Sequence, residues 1–150
     1  MIYLECYPDE TLAKSLGIPK AKITHSFSKG NVCNKLEKNI GSTGLVDEDP
    51  YSTQPTYIEK LRLTENKEDV KILHDDQSGN RVIILCPNLE EWILKAVTEA
   101  KMDISKYGLP NDSDELHKAI NTNLKKFDAL LAELKQKSRM LKTLEATLKK

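Results

Sequence analysis

Two short apolar runs, each closed by carboxylates, constrain this chain most. Ile2-Tyr3-Leu4 ends at Glu5, and Thr43-Gly44-Leu45-Val46 ends at Asp47-Glu48-Asp49. Both runs read as buried strands. An acidic residue at the end of such a strand is costly to bury without a partner. Glu5, Asp47 and Asp49 at neighbouring strand ends would form one cluster of negative charge. A hard divalent cation answers such a cluster, and Mg²⁺ prefers a few carboxylates plus retained waters. The pattern points to metal-dependent phosphate chemistry.

The elements between these runs set the fold class. Ile2 to Cys6 is the first expected strand. Pro8-Asp9-Glu10 opens a short helix with Leu12, Ala13 and Leu16 on one face and Gly17 at its end. Ala21 to Phe27 is a second strand. Ser28 is placed to cap a helix over Lys29–Asn39, with Val32, Cys33, Leu36 and Ile40 at helical spacing. Ser42 to Val46 is the third strand. A β-α-β-α-β order with short loops implies an α/β domain whose mainly parallel sheet is flanked by helices. Ligands of such sheets bind outside the carboxyl ends of the strands, where Glu5, Asp47 and Asp49 fall.

Further along, Asp49-Pro50 opens a turn-rich stretch to Pro55, and Leu61-Arg62-Leu63 offers another strand. Val70–His74 and Arg81–Cys86 suggest a hairpin around Gln77-Ser78-Gly79-Asn80. The continuous run Val82-Ile83-Ile84-Leu85 reads as a central strand. Helices are expected over Leu89–Ala100, from Asp112 or Ser113 to Ile120, and over Thr122–Leu148. The organisation is thus an α/β domain over residues 1–100, with a helical C-terminal extension over 101–150 packed on the same domain.

The extension has heptad character. Phe127, Leu134, Leu141 and Leu148 recur every seven residues, and Lys137-Ser138-Arg139 offers a break. Such a helix can pack on its own domain or meet a partner, including a second copy as a homodimer. It is also basic, with 8 Lys/Arg and 3 Asp/Glu in residues 121–150, against 15 and 20 before them. A basic end can meet nucleic acid or simply be a solvated face. Total charge is balanced, 23 against 23, and excludes neither.

Cys6, Cys33 and Cys86 are widely spaced, odd in number and without a CxxC pattern, which argues against zinc and disulfide frameworks. Glu5 interrupts the apolar start, unlike a signal peptide. No apolar run approaches the roughly 20 residues that span a bilayer. The expectation is a soluble cytoplasmic protein.

The order of the motifs resembles the Toprim domain of topoisomerases, primases, recombination proteins and overcoming-lysogenisation-defect nucleases. The matching segments are Tyr3-Leu4-Glu5, Phe27-Ser28-Lys29-Gly30-Asn31 and Leu45-Val46-Asp47-Glu48-Asp49-Pro50. Cys86-Pro87-Asn88-Leu89-Glu90-Glu91-Trp92 is similar to a signature of small RloB-like Toprim proteins, with Pro and Asn exchanged. The resemblance covers about residues 1–100. It implies a Rossmann-like Toprim fold in which Glu5 is the general acid/base and can share the metal, while Asp47 and Asp49 hold Mg²⁺ or Mn²⁺. Glu90 or Glu91 could add a ligand, or simply favour a helix N-terminus. Lys29 and Gly30 are the candidate phosphate-binding pair, with a surface lysine as the alternative.

The implied function is a Mg²⁺-dependent nuclease or related phosphotransferase on nucleic acid, in a defence or mobile-element setting. The alternative is a non-catalytic module working with a separate ATPase or nuclease subunit. Other readings are structural: Trp92 as core, His25, His74 and His117 as isolated histidines, Cys6 as a plain thiol, and Tyr51 and Tyr57 as loop anchors or base-stacking rings.

Overall fold

The computed structural model describes residues 1–150 as an α/β fold, Rossmann-like in its largely parallel sheet. The six strands are β1 (Ile2–Leu4), β2 (Ile23–His25), β3 (Thr43–Asp47), β4 (Arg62–Lys67), β5 (Val70–His74) and β6 (Arg81–Leu85). The helices are α1 (Tyr7–Ser15), α2 (Lys29–Lys38), α3 (Thr56–Glu59), α4 (Leu89–Glu99), α5 (Ser113–Thr122), α6 (Leu124–Lys137) and α7 (Arg139–Leu148). Contacts group the chain into two compact units: Met1–Cys6 with Ala21–Asn88, and Tyr7–Lys20 with Leu89–Lys150.

The first unit holds the sheet, in the order β2-β1-β3-β6-β5-β4. β2, β1, β3 and β6 run parallel, while β5 and β4 are antiparallel additions. The continuous apolar run of β6 sits inside the sheet, as its sequence requires. Tyr3, Val46, Val82 and Ile84 form a core with Val32, Cys33 and Leu36 of α2 and with Tyr57 and Ile58 of α3. Gly44 lets α2 approach, since a Cβ there would lie 3.0 Å from both Leu36 Cδ1 and Val32 Cγ1. Ser28 caps α2 as expected, its Oγ accepting the Asn31 N–H at 3.1 Å.

Three local readings change. β2 is shorter than expected, three residues rather than Ala21–Phe27, because Lys20–Lys22 form a 3₁₀ turn. Ile40 does not continue the apolar face of α2. The helix ends at Lys38 and Ile40 is 80% exposed. β4 extends well beyond Leu61–Leu63 and pairs with β5 through a tight turn at Glu68-Asp69, both with positive φ. All six β4 residues are exposed, and its register shifts between Leu63 and Glu65. A strand with no buried face carries no alternation for a reader to find.

The second unit is helical. α1 contributes Leu12 and Ala13 to it, so this early helix assembles with α6 rather than with the strands around it in sequence. α4 likewise packs with α5 and α7, which places the change of unit at Asn88 to Leu89 instead of near residue 100. The expected 27-residue tail helix breaks at Ser138, whose Oγ caps α7 through the Leu141 N–H and donates to Glu99 Oε1 at 2.9 Å. Phe127, Leu134, Leu141 and Leu148 are all buried within this chain. Trp92 is fully buried, as core packing predicts.

Candidate active site at a strand-order reversal

From β1 the chain first adds β2 on one side, then crosses to place β3 on the other. The strand order therefore reverses between β1 and β3, and loops leaving the two strands diverge there. In open α/β sheets that crevice is where ligands bind. Glu5 follows β1 directly, and Asp47 closes β3. The register pairs Leu4 with Leu45, so Asp47 ends its strand one residue beyond the level of Glu5, and the Asp47 N–H donates to Glu5 Oε2 at 3.4 Å.

Glu5 is half-buried. Burial pushes its carboxyl above the ordinary value of 4.5. The Asp47 N–H opposes the shift, the Asp49 charge adds to it, and the Lys29 ammonium and Lys29 backbone N–H oppose it again. A carboxyl that holds its proton harder than usual, yet is met by two backbone donors when ionised, can exchange a proton in either direction.

Asp49 takes a left-handed backbone, φ 45°, pinned by its N–H to Pro87 O at 2.9 Å and by Ser52 N–H to its own carbonyl at 3.0 Å. Lys29 is no surface lysine: its side chain is 11% exposed. Its ammonium donates to Glu48 O at 2.9 Å and Gln54 Oε1 at 3.0 Å, and lies 3.9 Å from Asp49 Oδ2. Gln54 binds the same loop from the other side, donating from Nε2 to Glu48 O, Asp49 O and Ser52 O at 3.0–3.2 Å. The Glu48 side chain takes the Lys71 ammonium at 2.6 Å. The β3–α3 loop is thus held by one lysine and one glutamine. The sequence gives Gln54 little signal beyond being the sole long amide in a Pro-bounded, turn-rich stretch.

No family model matches this chain, and no curated protein or solved structure matches it either.

The expected site residues separate by place. Glu5, Asp47, Asp49 and Lys29 come to one edge of the sheet. No three His, Cys, Asp or Glu side chains converge at ligand spacing, so a three-carboxylate cage is not formed. Asp47 and Asp49 nevertheless offer hard oxygens, with the Asp49 side chain 43% exposed, and Mg²⁺ is commonly held by one or two carboxylates and water. Gly30 lies in the first turn of α2 with no atom closer than 4.0 Å to a Cβ built there, so no close approach demands a glycine. Glu90 lies in the helical unit, buried, with its carboxylate 2.6 Å from His117 Nδ1.

A concavity of about 600 Å³ lies at the other end of the strands, between Leu36, Tyr57, Arg62, Asp75, Asp76 and Asn80. Asp75 and Asp76 are already engaged. Tyr57 donates to Asp75 at 2.8 Å, and Arg62 grips Asp76 through two bonds. Tyr57 is therefore a loop anchor, one of the two readings its sequence position allowed. No helix is long and apolar enough to cross a membrane.

Proposed function

We propose that this chain is a Mg²⁺-dependent, Toprim-like phosphotransferase of the nuclease type, acting on nucleic acid. The observation that carries the reading is Glu5, a half-buried carboxyl of raised pKa at the strand-order reversal, with Asp47 and Asp49 beside it. Glu5 moves the proton of the attacking or leaving oxygen. Because two backbone N–H groups and Lys29 receive its anion, it can alternate between acid and base. Asp47 and Asp49 would hold the divalent ion, which when bound neutralises charge on the transferring phosphoryl group. Lys29 and Gln54 position Asp49 by fixing its loop. Three free thiols suit a reducing compartment, and we place the protein in the cytoplasm.

A second reading is a non-catalytic module that completes its site with an ATPase or nuclease subunit. It is favoured by the same edge, where no three ligands converge and Lys29 and Lys71 already partner acidic groups.

Calorimetry with Mg²⁺ and Mn²⁺ on wild type and on Asp47→Ala/Asp49→Ala, paired with turnover by Glu5→Gln, separates the two. The enzyme reading expects metal binding that the double variant loses, and a Glu5→Gln protein that binds metal without turnover. Full turnover in Glu5→Gln sinks the assigned role.

A further inference from the structure

Two aromatic rings stand out at the edge that carries Glu5. Phe27, two residues beyond β2, is 72% exposed and has φ 68°. Tyr51, four residues beyond β3, is fully exposed. A non-glycine left-handed residue costs on the order of 1 kcal/mol, and a bulky one there signals a constrained, often functional position. The conformation at Phe27 is enforced: the Ser26 N–H donates to Leu4 O at 2.8 Å and the Phe27 N–H to Glu5 O at 3.0 Å. The turn that fixes the Glu5 backbone is therefore the turn that presents the Phe27 ring to solvent. His25 lies against that ring, centroids 5.9 Å apart and tilted 57°, which limits its motion.

The strand order roots the loops that carry these rings on either side of the strand that ends at Glu5. β1 lies between β2 and β3, so the two loops are rooted about two strand spacings, roughly 10 Å, apart. The charge at this edge limits the kind of contact a nucleic acid could make. Glu5, Asp47, Glu48 and Asp49 gather four carboxylates here, and Lys29 and Lys71 each already lie within 4 Å of a loop carboxylate. A polyanion gains little here from a positive field, so affinity must come from contacts that do not depend on charge. Aromatic stacking on bases is such a contact, and it is open only to bases that are not already paired in a duplex.

We propose that Phe27 and Tyr51 form a stacking platform for unpaired nucleobases, which makes single-stranded nucleic acid the substrate of the Glu5 edge. The proposal rests on the phosphotransferase reading and names its substrate class. Because few phosphates are neutralised by lysine or arginine, affinity should fall only slowly with salt.

The test is fluorescence anisotropy with labelled single-stranded DNA and RNA 12-mers, an abasic strand of equal length and the matching duplex, in Mg²⁺. Wild type should prefer base-bearing single strands. Phe27→Ala and Tyr51→Ala should each weaken that binding about 5- to 150-fold, while Phe27→Trp and Tyr51→Phe retain it. Circular dichroism confirms that each variant folds. Equal affinity for the abasic strand or the duplex overturns the proposal, as does undiminished binding by both alanine variants. Self-association of wild type that Tyr51→Ala abolishes also overturns it, because the rings then cover a second copy of the chain. Hydrolysis of bis(p-nitrophenyl) phosphate, which has no base, reports separately on the underlying reading. Turnover lost in Asp47→Ala/Asp49→Ala but kept in Phe27→Ala upholds the phosphotransferase even where the oligonucleotide results reject the platform. No turnover by wild type removes both.

Discussion

Replacing Lys29 by methionine keeps the aliphatic stem and removes the ammonium. Two hydrogen bonds from a charged donor are lost, to Glu48 O at 2.9 Å and Gln54 Oε1 at 3.0 Å. Each such bond contributes about 1.5–3 kcal/mol. The losses are unequal, because Glu48 O keeps Gln54 Nε2 as a donor at 3.0 Å whereas Gln54 Oε1 is left without the lysine. The 3.9 Å approach to Asp49 adds at most about 1 kcal/mol, since the Asp49 side chain is 43% exposed. Against these stands the desolvation of an ammonium that methionine no longer has to bury. The net expectation is a loss of about 2–3 kcal/mol, or a Tm lowered by about 5–10 °C for a chain of this size. Urea unfolding at pH 7 and a thermal melt measure it directly. The same variant should also raise the Glu5 pKa further, because Lys29 is one of the groups that lower it. A loss below about 0.5 kcal/mol, ordinary for a surface substitution, would refute the view of Lys29 as the tie that holds the β3–α3 loop.

Two more outcomes follow from buried polar groups. Because burial raises the folded-state pKa of Glu5 above 4.5, the fold favours its protonated form. That stability is fully present below the unfolded pKa and is lost as pH rises through the folded value. Glu5→Gln should therefore match wild type near pH 4.5 and be the more stable protein at pH 7 by urea midpoint; a Gln variant that is weaker at pH 7 would reverse the sign of this reasoning. Asn80, 1% exposed, accepts the Ser42 N–H at 2.8 Å and donates to Leu36 O at 2.7 Å and Tyr57 Oη at 3.1 Å. Asn80→Leu leaves the Ser42 N–H unpaired in the interior, while Leu36 O keeps the Asn39 N–H at 3.3 Å, and should destabilise by about 1–3 kcal/mol in urea; a change under about 0.5 kcal/mol would show that the network relaxes around the loss.

The sequence by itself determined the parallel part of the sheet. The middles of β1, β3 and β6 are short buried apolar runs, visible without any partner, whereas the half-buried β2 is not such a run. It also determined the Ser28 cap, whose hydrogen bond reaches only three residues, and the placement of Glu5 and Asp47 at strand ends, because the end of an apolar run is a local property. Only the tertiary structure decided which unit each helix joined, since α1 and α4 carry apolar faces that fit a helical partner as well as a sheet. It also decided that Lys29 turns inward, that Gln54 organises the loop, and that Tyr57 is buried while Tyr51 is not. Each of these depends on a neighbour 18 or more positions away or on the shape of the surface. The extent of the exposed strand β4 beyond Leu63 was illegible for the opposite reason: it buries nothing, so its pairing with β5 leaves no periodic trace in the residues. What composition and spacing encode is burial along the chain; what they do not encode is which buried or charged group meets which, and the chemistry of the Glu5 edge depends on that second kind of information.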